Sequence, residues 1–215
     1  MSLDDEKRVA AEAAADLIED GMTVGLGTGS TVAHLLAAVA RRGKDIRCVS
    51  TSPRTEEAAR GMGIRTESFD DVTALDLAID GADQVSPDWW LVKGGGAAHT
   101  REKLVAAAAE RFIVIVDSSK LVDRITAPIP LELLAFGLGS TLARLGDASL
   151  RDVPRTPDDG VIADYTGPVA DPAALAAMLS GTPGVVDHGL FPPGMVAAIV
   201  VGEGDDARWL ERLPG

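Results

Sequence analysis

Three carboxylates, a lysine and a run of glycines fall within one short stretch of this 215-residue chain. Asp80-Gly81-Ala82-Asp83 follows an apolar segment, Lys93-Gly94-Gly95-Gly96 comes ten residues later, and Thr100-Arg101-Glu102-Lys103 completes the set. These groups suit the movement of a proton beside a carbonyl on an anionic substrate. A carboxylate can take the proton, while an ammonium and main-chain N–H groups hold the oxygen that turns negative. Taken alone, D-G-x-D reads better as an Asx-type turn in which Asp80 ties down backbone amides. Glu102 alone reads equally as a surface carboxylate favoured by a helix start. The glycine run shifts the balance. Three consecutive glycines forfeit chain entropy, and their use implies close approach of backbone to something else.

A second chemical segment is Gly25-Leu26-Gly27-Thr28-Gly29-Ser30-Thr31. Glycines let backbone N–H groups approach an anion, the hydroxyls of Thr28, Ser30 and Thr31 add donors, and a following helix presents its positive end. A dinucleotide loop would need glycine where Ser30 stands, and a nucleotide-binding P-loop would need Gly-Lys-Ser/Thr. A small anion such as a phosphate is the better fit, and a ligand-free tight turn is its rival. Asp117-Ser118-Ser119-Lys120 adds a lysine for the same anion, or a solvated surface residue. His34 and His188 read as packing or surface residues, and His99 as peripheral to the site. Three dispersed histidines and the single Cys48 give no metal-ligand spacing, and Cys48 reads as a small buried hydrophobe.

The elements that would position these groups alternate. Helical spacing over 5–20 ends at Gly21, a short strand spans 22–26, and a helix spans 31–42. Strand 46–50 is followed by Ser52-Pro53, a cap and first-turn pair for a helix through Arg60. A strand at 75–79, a helix at 103–110 and an apolar strand at 112–116 complete the pattern. Strands buried on both faces and alternating with helices predict an α/β fold with a doubly wound, largely parallel sheet. After Lys120 the rhythm changes to short strands and two helices. The predicted division is therefore a domain of residues 1–127 and 195–215 with a second, smaller α+β domain at 128–194. In such a sheet Asp80, Asp83 and Lys120 fall near strand carboxyl ends, where ligands bind.

Net charge is −13, which disfavours nucleic acid and anionic membranes as partners. Fifteen arginines stand against five lysines, and three of the five (Lys93, Lys103, Lys120) lie in or beside the site segments. An acidic, lysine-poor surface is one that high salt would screen. The apolar runs are too short to span a membrane, and the acidic start, Met1 to Glu6, lacks the basic and apolar regions of a secretion signal. Cytoplasmic residence is the expectation.

Together the motifs resemble the A-type ribose-5-phosphate isomerase family. The resemblance rests on Val24 to Thr31, Ala78 to Asp83, Lys93 to Lys103, Asp117 to Lys120 and Pro183 to Phe191, in order along nearly the whole chain. Asp158-Asp159-Gly160-Val161 departs from the Asp-Asn-Gly-Asn turn usual in that family. The resemblance implies interconversion of D-ribose 5-phosphate and D-ribulose 5-phosphate through an enediolate, with no metal or organic cofactor, in a homodimer or homotetramer. It implies Glu102 as the base, Asp80 and Asp83 at the sugar hydroxyls and ring opening, and Lys93 with the Gly94, Gly95 and Gly96 amides at the oxyanion. Substrate and phosphate contacts would come from Thr28, Gly29, Ser30, Thr31, Gly81, Ala82 and Lys120, with Lys7 a further candidate. A non-catalytic sugar-phosphate sensor and an acyl-transferring enzyme with a glutamate nucleophile are the competing classes. The first lacks an output domain and the second has no use for Lys93 and the aspartate pair.

Overall fold

The computed structural model describes residues 2–211. Its elements begin with α1 (Leu3–Ala15), β1 (Thr23–Leu26), α2 (Ser30–Arg42), β2 (Arg47–Ser50), α3 (Pro53–Gly61) and β3 (Leu75–Asp80). Short strands β4 (Gln84–Val85) and β5 (Leu91–Val92) lead to α4 (His99–Ala108), β6 (Ala109–Asp117) and a 3-10 turn (Ser118–Lys120). Then come β7 (Ile129–Leu133), α5 (Leu138–Leu145), β8 (Ala148–Leu150), β9 (Val161–Tyr165) and α6 (Pro172–Ser180). Last among the described residues are β10 (Val185–His188), β11 (Leu190–Phe191), β12 (Ala198–Glu203) and β13 (Asp206–Glu211).

These form two compact units. The first holds residues 2–82, 101–121 and 194–211, and the second holds 83–100 and 122–193. The grouping differs from the sequence division at 83–100 and 122–127, which join the second unit, and at residue 194, which joins the first. The reason is strand pairing. β5 pairs with β4 on one side and with β11 on the other in a three-stranded antiparallel sheet, and Ile125 sits in the second unit's core.

In the first unit a six-stranded sheet runs β13-β12-β6-β3-β1-β2, parallel except for the antiparallel edge strand β13. Val24 and Leu26, Leu77 and Ile79, and Ile113 and Ile115 are buried in one cluster with Ala10, Ala14 and Leu35 of helices α1 and α2. Their period-2 spacing leaves Gly25, Ala78 and Phe112 for the other face. Ser2 caps α1 in a capping box with Asp5, and Asp4, Asp5 and Glu6 suit its positive end. The helix ends at Ala15, earlier than the sequence period suggests, and Gly21 turns the chain at φ 89. The parallel strands have the order β2-β1-β3-β6-β12, so the winding reverses between β1 and β3. That reversal opens a crevice at the carboxyl ends of these two strands.

The second unit has a four-stranded antiparallel sheet, β10-β7-β9-β8, besides the three-stranded one. Ile129, Leu131 and Leu133 of β7 are fully buried with Ala163, Leu175 and Leu179, which makes it the α+β unit the sequence predicts.

Candidate active site

At the β1–β3 reversal the carboxylate of Asp80 is 4% exposed. Its Oδ1 accepts from the Thr28 N–H at 3.1 Å and the Gly81 N–H at 2.7 Å. The carboxylate fills the space that a side chain at 27 would need: a Cβ there would lie 1.8 Å from the Asp80 carboxyl. Gly27→Ala should therefore cost about 1–3 kcal/mol and break the Thr28–Asp80 bond. Urea unfolding measures this, and wild-type stability in the variant would contradict the packing described.

Thr28 turns its hydroxyl into a cluster with Thr51 at 2.9 Å and Ser52 at 2.8 Å, Ser52 also being the cap of α3. This use leaves no local signal in the sequence, because Thr51 and Ser52 follow a different strand, β2. Gly29 caps α2 at φ 120, in the left-handed half of the map, and it and Ser30 are exposed with Thr31 half-buried.

Glu102 lies in the first turn of α4 and is 5% exposed. Glu102, Val105 and Ala106 share one face of the helix by i, i+3, i+4 spacing. The strand beneath must be bare for that face to settle, and Gly25 supplies this: a Cβ there would meet the Val105 side chain at 2.4 Å. Glu102 and Asp80 consequently line one recess, together with Gly27 and Thr51. Residue 102 is therefore turned inward and is not a solvated surface carboxylate.

Lys120 ends the 3-10 turn after β6. Two carboxylates hold that turn, one inside the motif and one outside it. Asp117, 1% exposed, accepts from the Ser119 N–H at 3.0 Å and from its hydroxyl. Glu6 accepts from the Ser118 N–H at 2.9 Å and hydroxyl at 2.6 Å, and the Ser118 bonds hold its carboxyl below the ordinary range. Sequence reasoning missed Glu6, which lies 112 residues from its partner. Lys120→Ala should raise KM roughly tenfold with kcat nearly unchanged, as for a lost charge-assisted contact to a phosphate. Steady-state kinetics decide, and an equal fall in kcat would contradict a binding role.

In the second unit the three-stranded sheet carries Lys93. It follows β5 directly, its N–H donates to the Gly189 carbonyl at 2.9 Å, and a Cβ at Gly189 would meet the Lys93 carbonyl oxygen at 2.2 Å. The side chain is 3% exposed, with Nζ 5.5 Å from the centroid of Phe191 on β11. Asp83 is exposed and its Oδ2 accepts from the Gly95 N–H at 2.8 Å. Gly94 has φ 105, and a Cβ there would lie 2.7 Å from His99 Nδ1, so the buried His99 is a wall of the glycine loop. His188 is also buried: its Nδ1 accepts from the Leu190 N–H and its other ring nitrogen meets the Ser180 hydroxyl at 3.0 Å.

The family description "Ribose 5-phosphate isomerase A (phosphoriboisomerase A)" matches residues 47–206. The chain belongs to the ribose-5-phosphate isomerase A family. It is 47% identical over 207 residues to "Ribose-5-phosphate isomerase A" of Caulobacter vibrioides, covering 89% of this chain and 91% of the relative. Among solved structures it is similar to ribose 5-phosphate isomerase A from Neisseria gonorrhoeae, at TM-score 0.93, 31% identity and 99% coverage of each chain. It is also similar to a D-ribose-5-phosphate isomerase in complex with phospho-erythronic acid, at TM-score 0.92 and 35% identity, with 99% of this chain and 100% of that chain covered.

Measured against the family resemblance, the first unit brings together the Thr28 to Thr31 loop, Asp80, Gly81 and Glu102. The second unit brings together Asp83, Lys93 and Gly94 to Gly96. Cys48 is fully buried in β2, and burial pushes its thiol up to about 12, in keeping with a packing role. Among the described residues, no group of three or more His, Cys, Asp or Glu is arranged to hold a metal ion, and no helix is long and apolar enough to cross a membrane.

Proposed function

We propose that this chain interconverts D-ribose 5-phosphate and D-ribulose 5-phosphate through an enediolate. The observation that carries the reading is Glu102, a carboxylate buried on a helix and lining a recess with Asp80 in a chain of this family. Glu102 removes the proton from C2 of the open-chain aldose. The C2–H electrons form the C1–C2 double bond, and the C1 carbonyl oxygen takes the negative charge. Return of the proton to C1, with transfer of the C2 hydroxyl proton to the C1 oxygen, yields the ketose. A hydrogen next to a carbonyl is weakly acidic, so the developing oxyanion needs donors already in place. Lys93 and the amides of Gly94 to Gly96 supply them. Asp80 and Asp83 handle the hydroxyl protons, including ring opening, and the Thr28 to Thr31 loop, Gly81, Ala82 and Lys120 contact the substrate and its phosphate.

The phospho-erythronic acid bound by a related isomerase supports the choice of intermediate, since its planar carboxylate resembles a flat, oxygen-rich enediolate. The same reading extends to a cytoplasmic homodimer or homotetramer acting on a free sugar phosphate, with neither nucleic acid nor membrane as partner. A coupled assay of ribose 5-phosphate conversion with EDTA present tests the activity and its independence of metal together. Calorimetric binding of ribose 5-phosphate with no conversion would replace the enzyme by a sensor.

A further inference from the structure

Arg151 follows β8 directly and is outside every motif that marks the site. Its position comes from strand register. Ser149 faces Asp164 on β9, so Arg151, two residues on, shares a sheet face with Asp164 and lies diagonal to it. The two form a fork. Nε donates to Asp164 Oδ2 at 2.7 Å and Nη2 to Oδ1 at 2.5 Å, with the side chains only 18% and 19% exposed. This bidentate pair fixes the guanidinium plane and leaves Nη1 directed elsewhere. The Asp164 hydrogen bonds also hold the guanidinium proton more tightly than usual, against some loss from burial, and the field of Asp83 adds to the effect.

Nη1 donates to the Gly94 carbonyl at 2.8 Å and to the Gly95 carbonyl at 3.4 Å. The peptide joining Gly94 to Gly95 is therefore gripped at both edges. Its carbonyl faces Arg151 and its N–H donates to Asp83 Oδ2 at 2.8 Å. A trans peptide is planar with C=O and N–H on opposite sides, so a cation and an anion together set its plane. The next peptide has its carbonyl on the Arg151 side as well, which turns the Gly96 N–H away from the guanidinium. Glycine is required for this geometry, because a Cβ at 95 would lie 2.9 Å from Asp83 Oδ1. Without the cation, the flexible glycines would have many alternative peptide orientations.

We propose that Arg151, locked by Asp164, is a positioning residue for isomerisation: it sets the peptide planes of the Gly94–Gly96 loop and, through the Gly95 N–H, the carboxylate of Asp83. The inference rests on the isomerase reading and adds to it a pair of residues remote from the sequence motifs. Lysine cannot replace the arginine. One nitrogen cannot hold both Asp164 oxygens and reach two carbonyls.

The test compares wild type, Arg151→Ala, Arg151→Lys and Asp164→Asn in steady-state turnover of ribose 5-phosphate, each with a thermal melt. Arg151→Ala should lose about 100-fold in kcat, as misplaced catalytic groups do, with much smaller change in KM. Guanidinium chloride at millimolar concentration should restore part of that loss, while Arg151→Lys should remain impaired. A purely structural arginine would lower the melting temperature without a kcat loss that free guanidinium reverses. Wild-type kcat in folded Arg151→Ala, or a loss that guanidinium does not reverse, would overturn the proposal. Should Arg151→Ala not fold, Asp164→Asn carries the test: a kcat loss supports the proposal and an unchanged kcat overturns it. Absence of turnover in the wild type would instead overturn the isomerase reading.

Discussion

Glu102→Gln should lower kcat by about 100-fold or more while KM changes little. Glutamine keeps the size of the side chain and its place on α4 beside Val105, so the helix should still settle on the bare surface at Gly25. The loss is of proton affinity alone, since an amide oxygen is far too weak a base to accept a proton from carbon. A group acting only in the chemical step affects kcat and kcat/KM alike. The coupled assay reads the change directly, and a melting curve guards against misfolding. Turnover near the wild-type level would remove Glu102 as the base.

Lys93→Met should be nearly as damaging, with kcat falling about 100- to 1000-fold, the scale associated with removing one oxyanion donor. Methionine keeps an unbranched chain of similar length beside Phe191 but has no ammonium to place 5.5 Å from its ring centroid. A melting curve beside the assay separates chemistry from folding: a lower melting temperature with unchanged kcat would make Lys93 a structural residue.

The first unit was largely legible in the sequence because its elements are long enough to show a period. β1, β3 and β6 are apolar on both faces, and the Ser52-Pro53 helix start is a local signal. β4, β5 and β11 have two residues each, too few for alternation, so the sheet that carries Lys93 leaves no periodic signal and the sequence division groups residues 83–100 with the larger domain. β13 escaped notice because its half-exposed residues alternate around charges, as an edge strand's do. The proton-handling groups were visible because they cluster in sequence. Their supports were not, since Glu6, Thr51 and Arg151 meet their partners through tertiary packing. One signal was available for Arg151: Asp164 is a charged residue inside the mostly buried Val161–Tyr165, and such a residue needs a cationic neighbour.

The fit of one carboxylate into the void beside a glycine ties two distant letters of the chain into a single unit of inheritance. Positions 27 and 80 cannot drift separately: a methyl group at the first evicts the acid at the second, and a longer acid at the second crowds the turn at the first. Among divergent proteins built on this strand order, a side chain at the first position should therefore be accompanied by loss or displacement of the acid at the second.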